Sequence, residues 1–311
     1  MEDFDFYPSK PKLIEAKPKG GLSLTIFSMV LFVLVFLLLL GDEVNFIISL
    51  LVVLIIHESG HFVMMKAFKY KNVRMLFVPL MGAFVQGSKT RYSQKESFMV
   101  TAAGPFPGVA IGTSVMWYAA EIQNEWLMNL GFLFLLLNII NLLPLDPLDG
   151  GQMFKLLFRK NNELFLMIFA LISSLFMIAV GWYLDSYIVM LFGFFMGFRV
   201  RALQKKYQVH KELHDDEINF STTYKLLSNK DFVKIKNVVL EHTPALKKFV
   251  DQVTSEESDP ILASQVNSML EVPLKQDASL FFKIILVLIW MLSFAAPVIL
   301  FFTLNLEWFF Q

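Results

Sequence analysis

None of the 311 residues is cysteine. That excludes disulfides and thiolate metal sites, so any bound metal must rest on histidine and carboxylate. Histidine is scarce as well, with five residues in the chain. Charged residues are 17% of the total, against about 25% in an ordinary soluble domain. The formal net charge is zero, which gives no sign of a nucleic-acid partner. Leu39-Leu40-Gly41-Asp42 lacks a small-x-small cleavage pattern, so the first apolar run is expected to be a span and not a signal peptide. There is no internal repeat and no low-complexity tract.

What the chain does have is apolar length. Hydrophobic residues make up 56%, with 33 Phe, and mean hydropathy is +0.57. Runs of about 18 or more apolar residues are candidates to cross a bilayer. Apolar runs fall at 22–40, 45–66, 97–119, 126–146, 163–183, 186–200 and 279–303, of which 186–200 is short. The sequence therefore predicts an all-α polytopic membrane protein with about seven transmembrane helices, embedded in a lipid bilayer. Residues 1–21 read as a polar cytoplasmic tail and 22–200 as a six-span core. Residues 201–278 read as a small helical cytoplasmic domain, with amphipathic segments at Asp231–Glu241 and Pro260–Leu270. Residues 279–311 supply a last span and an outer tail.

Orientation follows from the basic residues, which stay cytoplasmic in short loops. With the N-terminus inside, the outer segments 41–45, 120–125, 184–185 and 304–311 contain no Lys or Arg. They hold Asp42, Glu43, Glu121, Glu125, Asp185 and Glu307, and Trp117, Trp126, Trp182 and Trp308 lie at the same boundary. The inner segments carry Lys66, Lys69, Lys71, Arg74, Lys89, Arg91, Lys95, Lys155, Arg159, Lys160, Arg199 and Arg201. The expected location is the plasma membrane, with the active-site side cytoplasmic.

Ionisable residues within a span are costly and mark function. The second span carries His57-Glu58-Ser59-Gly60-His61, an HExxH pattern. Residues i and i+4 share a helix face, so both imidazoles can reach one metal ion. Glu58 sits one step round and can serve as base toward a water there. His210 and His214 share the same spacing, but they lie in a polar stretch where a solvated helix face explains them. His242 reads as an ordinary surface residue.

A third ligand is needed, and without Cys or another intramembrane His it must be a carboxylate. The fourth span ends in Asn138-Ile-Ile-Asn141-Leu-Leu-Pro144-Leu-Asp146-Pro147-Leu148-Asp149-Gly150-Gly151. Its prolines end the helix, and irregular backbone at that depth must face protein or a wet cavity. Physics alone does not rank Asp146 against Asp149.

HESGH in one span and the Asn141-to-Gly151 segment two spans later resemble the site-2 protease family of intramembrane zinc metalloproteases, strongly over about residues 45–155. The resemblance implies one Zn2+ per chain, held by His57, His61 and Asp149, with Glu58 as general base. It implies that Asn141 assists at substrate or oxyanion. Pro79–Gly87 looks like that family's membrane-embedded hairpin, which implies substrate contacts at Gly82, Ala83, Phe84 and Val85 by strand addition. Ala103-Gly104-Pro105-Phe106-Pro107-Gly108 resembles an AGPxxN segment, but Gly108 replaces Asn, so no catalytic role is carried over there. The implied reaction is peptide hydrolysis within or near membrane segments. The implied substrate is a single-span membrane protein or membrane-bound peptide.

Two other functions compete. A zinc transporter can carry His-Glu-x-x-His on a span, but it needs ligands across the membrane, whereas these cluster near one side. A non-catalytic protein that binds membrane segments would be expected to have lost Glu58.

Overall fold

The computed structural model describes residues 7–14, 21–41, 43–79, 82–89, 91–157, 163–271 and 274–304. Asp42, Glu307 and Trp308 of the expected outer boundary lie outside the described residues. So do Lys17, Lys19, Arg159, Lys160 and the hairpin's Leu80 and Met81. The chain divides into two compact units. One gathers helices α1–α6, a two-stranded sheet and the last helix. The other gathers α7–α11 with the described part of the N-terminal tail.

In the first unit, α1 (Gly21–Leu40) and α2 (Val44–Ala67) are followed by β1 (Lys71–Val78) and β2 (Gly82–Ser88). α1 is apolar all round, with Phe27 and Leu38 exposed as a lipid-facing helix requires. Its few polar groups hold the sheet: Thr25 Oγ1 donates to the Met75 carbonyl at 2.6 Å, and Ser28 Oγ accepts from the Phe77 N–H at 3.1 Å. α2 buries Leu50, Val53, His57, Glu58 and His61, a stripe at three- and four-residue spacing. β1 and β2 form an antiparallel hairpin with Met75 opposite Val85 and Val78 opposite Gly82. Gly82 sits at φ +97°, a conformation open to glycine.

The expected third span is two helices in sequence, α3 (Gln94–Ala102) and α4 (Pro105–Ile122). Pro105 has no N–H to donate back along α3, and its fixed φ suits the first turn of a new helix, so the break falls at Ala103-Gly104. α5 (Glu125–Leu142) runs back against α4, and Gly112 and Gly131 face each other with no room for side chains. Pro144 lies just past the end of α5. α6 (Asp149–Leu157) follows the turn, and α12 (Leu280–Thr303) packs on α4 and α5.

The second unit begins with the antiparallel pair α7 (Glu163–Tyr183) and α8 (Tyr187–Asp215), closely packed where Ser174 Oγ donates to the Gly193 carbonyl at 2.8 Å. The run at 186–200 is the first part of α8, and the helix continues without interruption past Arg201. α9 (Asn229–Glu241), α10 (Pro244–Gln252) and α11 (Ser255–Met269) complete the unit. Val209, Leu213, Ile235, Val239, Ala263 and Val266 form its fully buried centre. His210 lies inside that packing and hydrogen-bonds through Nε2 to the Met269 carbonyl at 2.7 Å. A solvated helix face therefore describes His214 but not His210. His242 is half-exposed and meets Glu212 at 2.7 Å.

Among the described residues six helical segments are long and apolar enough to cross a membrane: α1, α2, α3 with α4, α5, α7 and α12. The chain is an all-α, multi-pass membrane protein with one short sheet.

Candidate metal centre

His57 and His61 lie one helical turn apart on α2, with both rings buried. Their outer nitrogens are fixed from behind. His57 Nδ1 is 2.7 Å from Asn138 Oδ1, and the Asn138 amide nitrogen donates to the Phe134 carbonyl at 2.7 Å. That second bond assigns the amide, so His57 Nδ1 is the donor. His61 Nδ1 donates to the Val100 carbonyl at 2.7 Å. With both Nδ1 protonated, each neutral ring presents an Nε2 lone pair to the same point.

Asp149 completes that point. It is the first residue of α6, and its Oδ2 lies 3.1 Å from His57 Nε2 and 3.2 Å from His61 Nε2. The two Nε2 atoms are 3.2 Å apart. Three ligand-type atoms thus form a nearly equilateral triangle. A metal–ligand length of about 2.0–2.1 Å places tetrahedral ligand atoms about 3.3–3.4 Å apart, so the donor set fits a zinc-sized cation with a fourth position open.

Glycines make the approach possible. A Cβ on Gly104 would lie 2.4 Å from His61 Nε2 and 2.9 Å from His57 Nε2. One on Gly60 would lie 1.9 Å from the Ala103 carbonyl oxygen, so α2 rests directly on the break between α3 and α4. Gly150 and Gly151 do the same for the third donor. Their Cβ atoms would fall 2.1 Å from the Leu142 oxygen and 2.2 Å from the Leu145 oxygen. The start of α6 can fold onto the end of α5 because these positions carry no side chain.

The two acidic candidates separate here. Asp146 is buried and paired with Lys155, whereas Asp149 joins the histidines. Glu58 is buried next to His57 but is not one of the three converging donors, and the Val85 backbone N–H faces its carboxyl group. From the hairpin, Val85 thus faces Glu58 through its backbone, while Phe84 is exposed. Asn141 donates to the Leu137 carbonyl of its own helix at 3.0 Å, and among the described residues it makes no hydrogen bond to the three donors. Sequence reading assigned nothing to Asn138 or to the Val100 carbonyl. The signal for Asn138 was an amide deep in an apolar span, which needs a partner.

Residues 45–126 match peptidase family M50. The chain is 32% identical over 130 residues to stage IV sporulation protein FB of Bacillus subtilis (strain 168), an overlap of 39% of this chain. It spans 43% of the length of that curated relative. Among solved structures it is similar to the site-2 protease from Methanocaldococcus jannaschii, at 22% identity and a TM-score of 0.45. That overlap covers 57% of this chain and 87% of the other. The M50 match covers the segment that holds HESGH, and the Asp149 segment is folded against it, so over residues 45–126 the chain is similar to the membrane metallopeptidases of that family.

Proposed function

We propose that the chain is an intramembrane zinc endopeptidase that hydrolyses peptide bonds within or near transmembrane segments. The observation that carries this reading is the convergence of His57, His61 and Asp149 with a buried Glu58 beside them. In this reading the three converging groups hold one zinc ion. Zinc bound there supplies a Lewis acid that polarises the scissile carbonyl and acidifies water. Glu58 takes a proton from the attacking water as the new C–O bond forms. It returns that proton to the amine as the C–N bond breaks. Asn138 and the Val100 carbonyl keep both imidazoles facing the centre throughout.

A substrate helix hides its carbonyls in its own hydrogen bonds and must unwind before it can react. β2 offers an edge on the Glu58 side, so Gly82, Ala83, Phe84 and Val85 are assigned to pair with the extended substrate. Asn141 is assigned to substrate or oxyanion contact, which requires its amide to leave the Leu137 carbonyl. The substrate class is a single-span membrane protein or membrane-bound peptide. The N-terminus and the metal centre face the cytoplasm at the plasma membrane, as the sidedness of Lys and Arg supports. Residues 22–200 and 201–278 are assigned to the membrane core and a cytoplasmic helical domain, joined through α8.

The test is cleavage of a single-span reporter in proteoliposomes, with zinc content measured in parallel. Glu58→Gln is expected to keep its zinc and lose cleavage. Normal cleavage by that variant overturns the proposal. Zinc uptake into the vesicle lumen without cleavage by the wild type would favour a transporter.

A further inference from the structure

His57 and His61 are both anchored through Nδ1, but by different kinds of group. His61 is held by a main-chain carbonyl, Val100, which no substitution at residue 100 removes. His57 is held by a side chain on another helix, Asn138, 81 residues away in sequence. Asn138 is fully buried, and its two polar atoms are both used, one on His57 and one on Phe134.

The neighbouring helix leaves a space shaped for this amide. A Cβ built on Gly108 of α4 would lie 2.1 Å from Asn138 Oδ1, 2.2 Å from Cγ and 2.3 Å from Nδ2. The whole amide therefore fills the volume that a side chain at 108 would claim. A buried amide in a membrane helix is costly unless its hydrogen bonds are made. Leucine has the same branching and would suit an apolar span better on packing grounds alone. Over leucine, asparagine adds a donor spent on the Phe134 carbonyl of its own helix and an acceptor aimed at a histidine.

We infer that Asn138 is a positioning residue for the metal centre: its Oδ1 holds His57 with Nε2 turned toward Asp149, and Gly108 is the gap that lets it reach. The inference rests on the zinc reading above. Groups that accept a hydrogen bond from a ligating histidine fix its tautomer and orientation, and their loss lowers metal affinity about 10–100-fold.

The experiment measures zinc affinity of the full-length, detergent-solubilised protein by equilibrium competition with a chromogenic chelator. Unfolding of the metal-stripped protein is followed alongside. Asn138→Leu keeps the shape and removes both polar atoms. It is expected to lose affinity by about 10–100-fold while the metal-stripped protein unfolds no more easily than wild type. Asn138→Asp keeps the acceptor and removes the donor to Phe134. It is expected to bind zinc within about threefold of wild type, a smaller change than loss of the acceptor produces. Asn138→Leu binding zinc as tightly as wild type overturns the inference. Equal losses in the Leu and Asp variants also overturn it, since the acceptor would then not be what matters. A wild type that binds no zinc overturns the metal centre itself, and this inference with it.

Discussion

The indole N–H of Trp290 donates to the Leu142 carbonyl at 2.7 Å, joining α12 to the last turn of α5. Leu142 is fully buried, and its carbonyl is one of the terminal groups that a helix leaves without a partner inside itself. The same oxygen is the surface against which Gly150 lies. The last helix thus supports the segment that delivers Asp149. Trp290→Phe keeps an aromatic ring and removes the donor. It should lower stability by about 1–3 kcal/mol, read from denaturant unfolding in detergent, with a weaker hold on zinc. Unchanged stability and zinc affinity would leave α12 as lipid-facing packing.

Gly104 has no substitute at its position. A methyl group there would stand within 2.4–2.9 Å of atoms in both imidazole rings. Gly104→Ala should remove zinc binding even though every donor remains. The check is metal content after purification at limiting zinc. A zinc-replete Gly104→Ala protein would mean that the rings move freely.

Asp146 and Asp149 should fail differently. Asp149→Ala should purify without zinc and keep its fold. Asp146→Asn should keep zinc but destabilise the protein by roughly 1–3 kcal/mol, because the half-buried Lys155 loses that charge partner. Metal analysis and unfolding on the same two preparations separate the outcomes. Zinc lost from Asp146→Asn with normal stability would reverse the assignment.

Acid should loosen the junction ahead of α12. Burial alone raises the Asp277 carboxyl. The Lys95 N–H, the Ser93 hydroxyl and Lys275 outweigh it and hold the group below its ordinary value. A carboxyl depressed by folding stabilises above its unfolded value, about 3.9 for Asp, and that contribution is lost as pH falls through the folded value. Wild type should therefore lose stability below about pH 4 to a greater extent than Asp277→Asn does. Parallel acid profiles for the two proteins would contradict this.

Much of the centre was legible because its signals are local and expensive. HESGH places two imidazoles on one face by helical period alone, and charge inside a span demands a purpose. The spans followed from apolar length, with α2, α7 and α12 close to the runs that predicted them. What stayed hidden depends on contacts between distant segments. Gly108 reads in sequence as a missing amide, and only the packing reveals that Asn138 fills its place from α5. The resemblance already pointed to Asp149, but the partner that occupies Asp146, Lys155 turned back onto it from nine residues beyond, shows only in the fold. His210 looked solvated because its neighbours are polar. It is buried because α11 covers it, which no window along α8 can register. The break at Gly104 was encoded by Pro105, but a continuous apolar run concealed it.

The centre joins residue 57 to residue 149 across 92 positions and residue 61 to the same carboxylate across 88. A cation shared by these three groups closes a loop of that length through the middle of the unit. Cross-links that close loops of about 100 residues restrict the unfolded chain by an amount worth about 4–5 kcal/mol in the chain-entropy view. Topologically, the metal would do for this cysteine-free chain what a disulfide does elsewhere. It would be a clasp that opens with a chelator instead of a reductant.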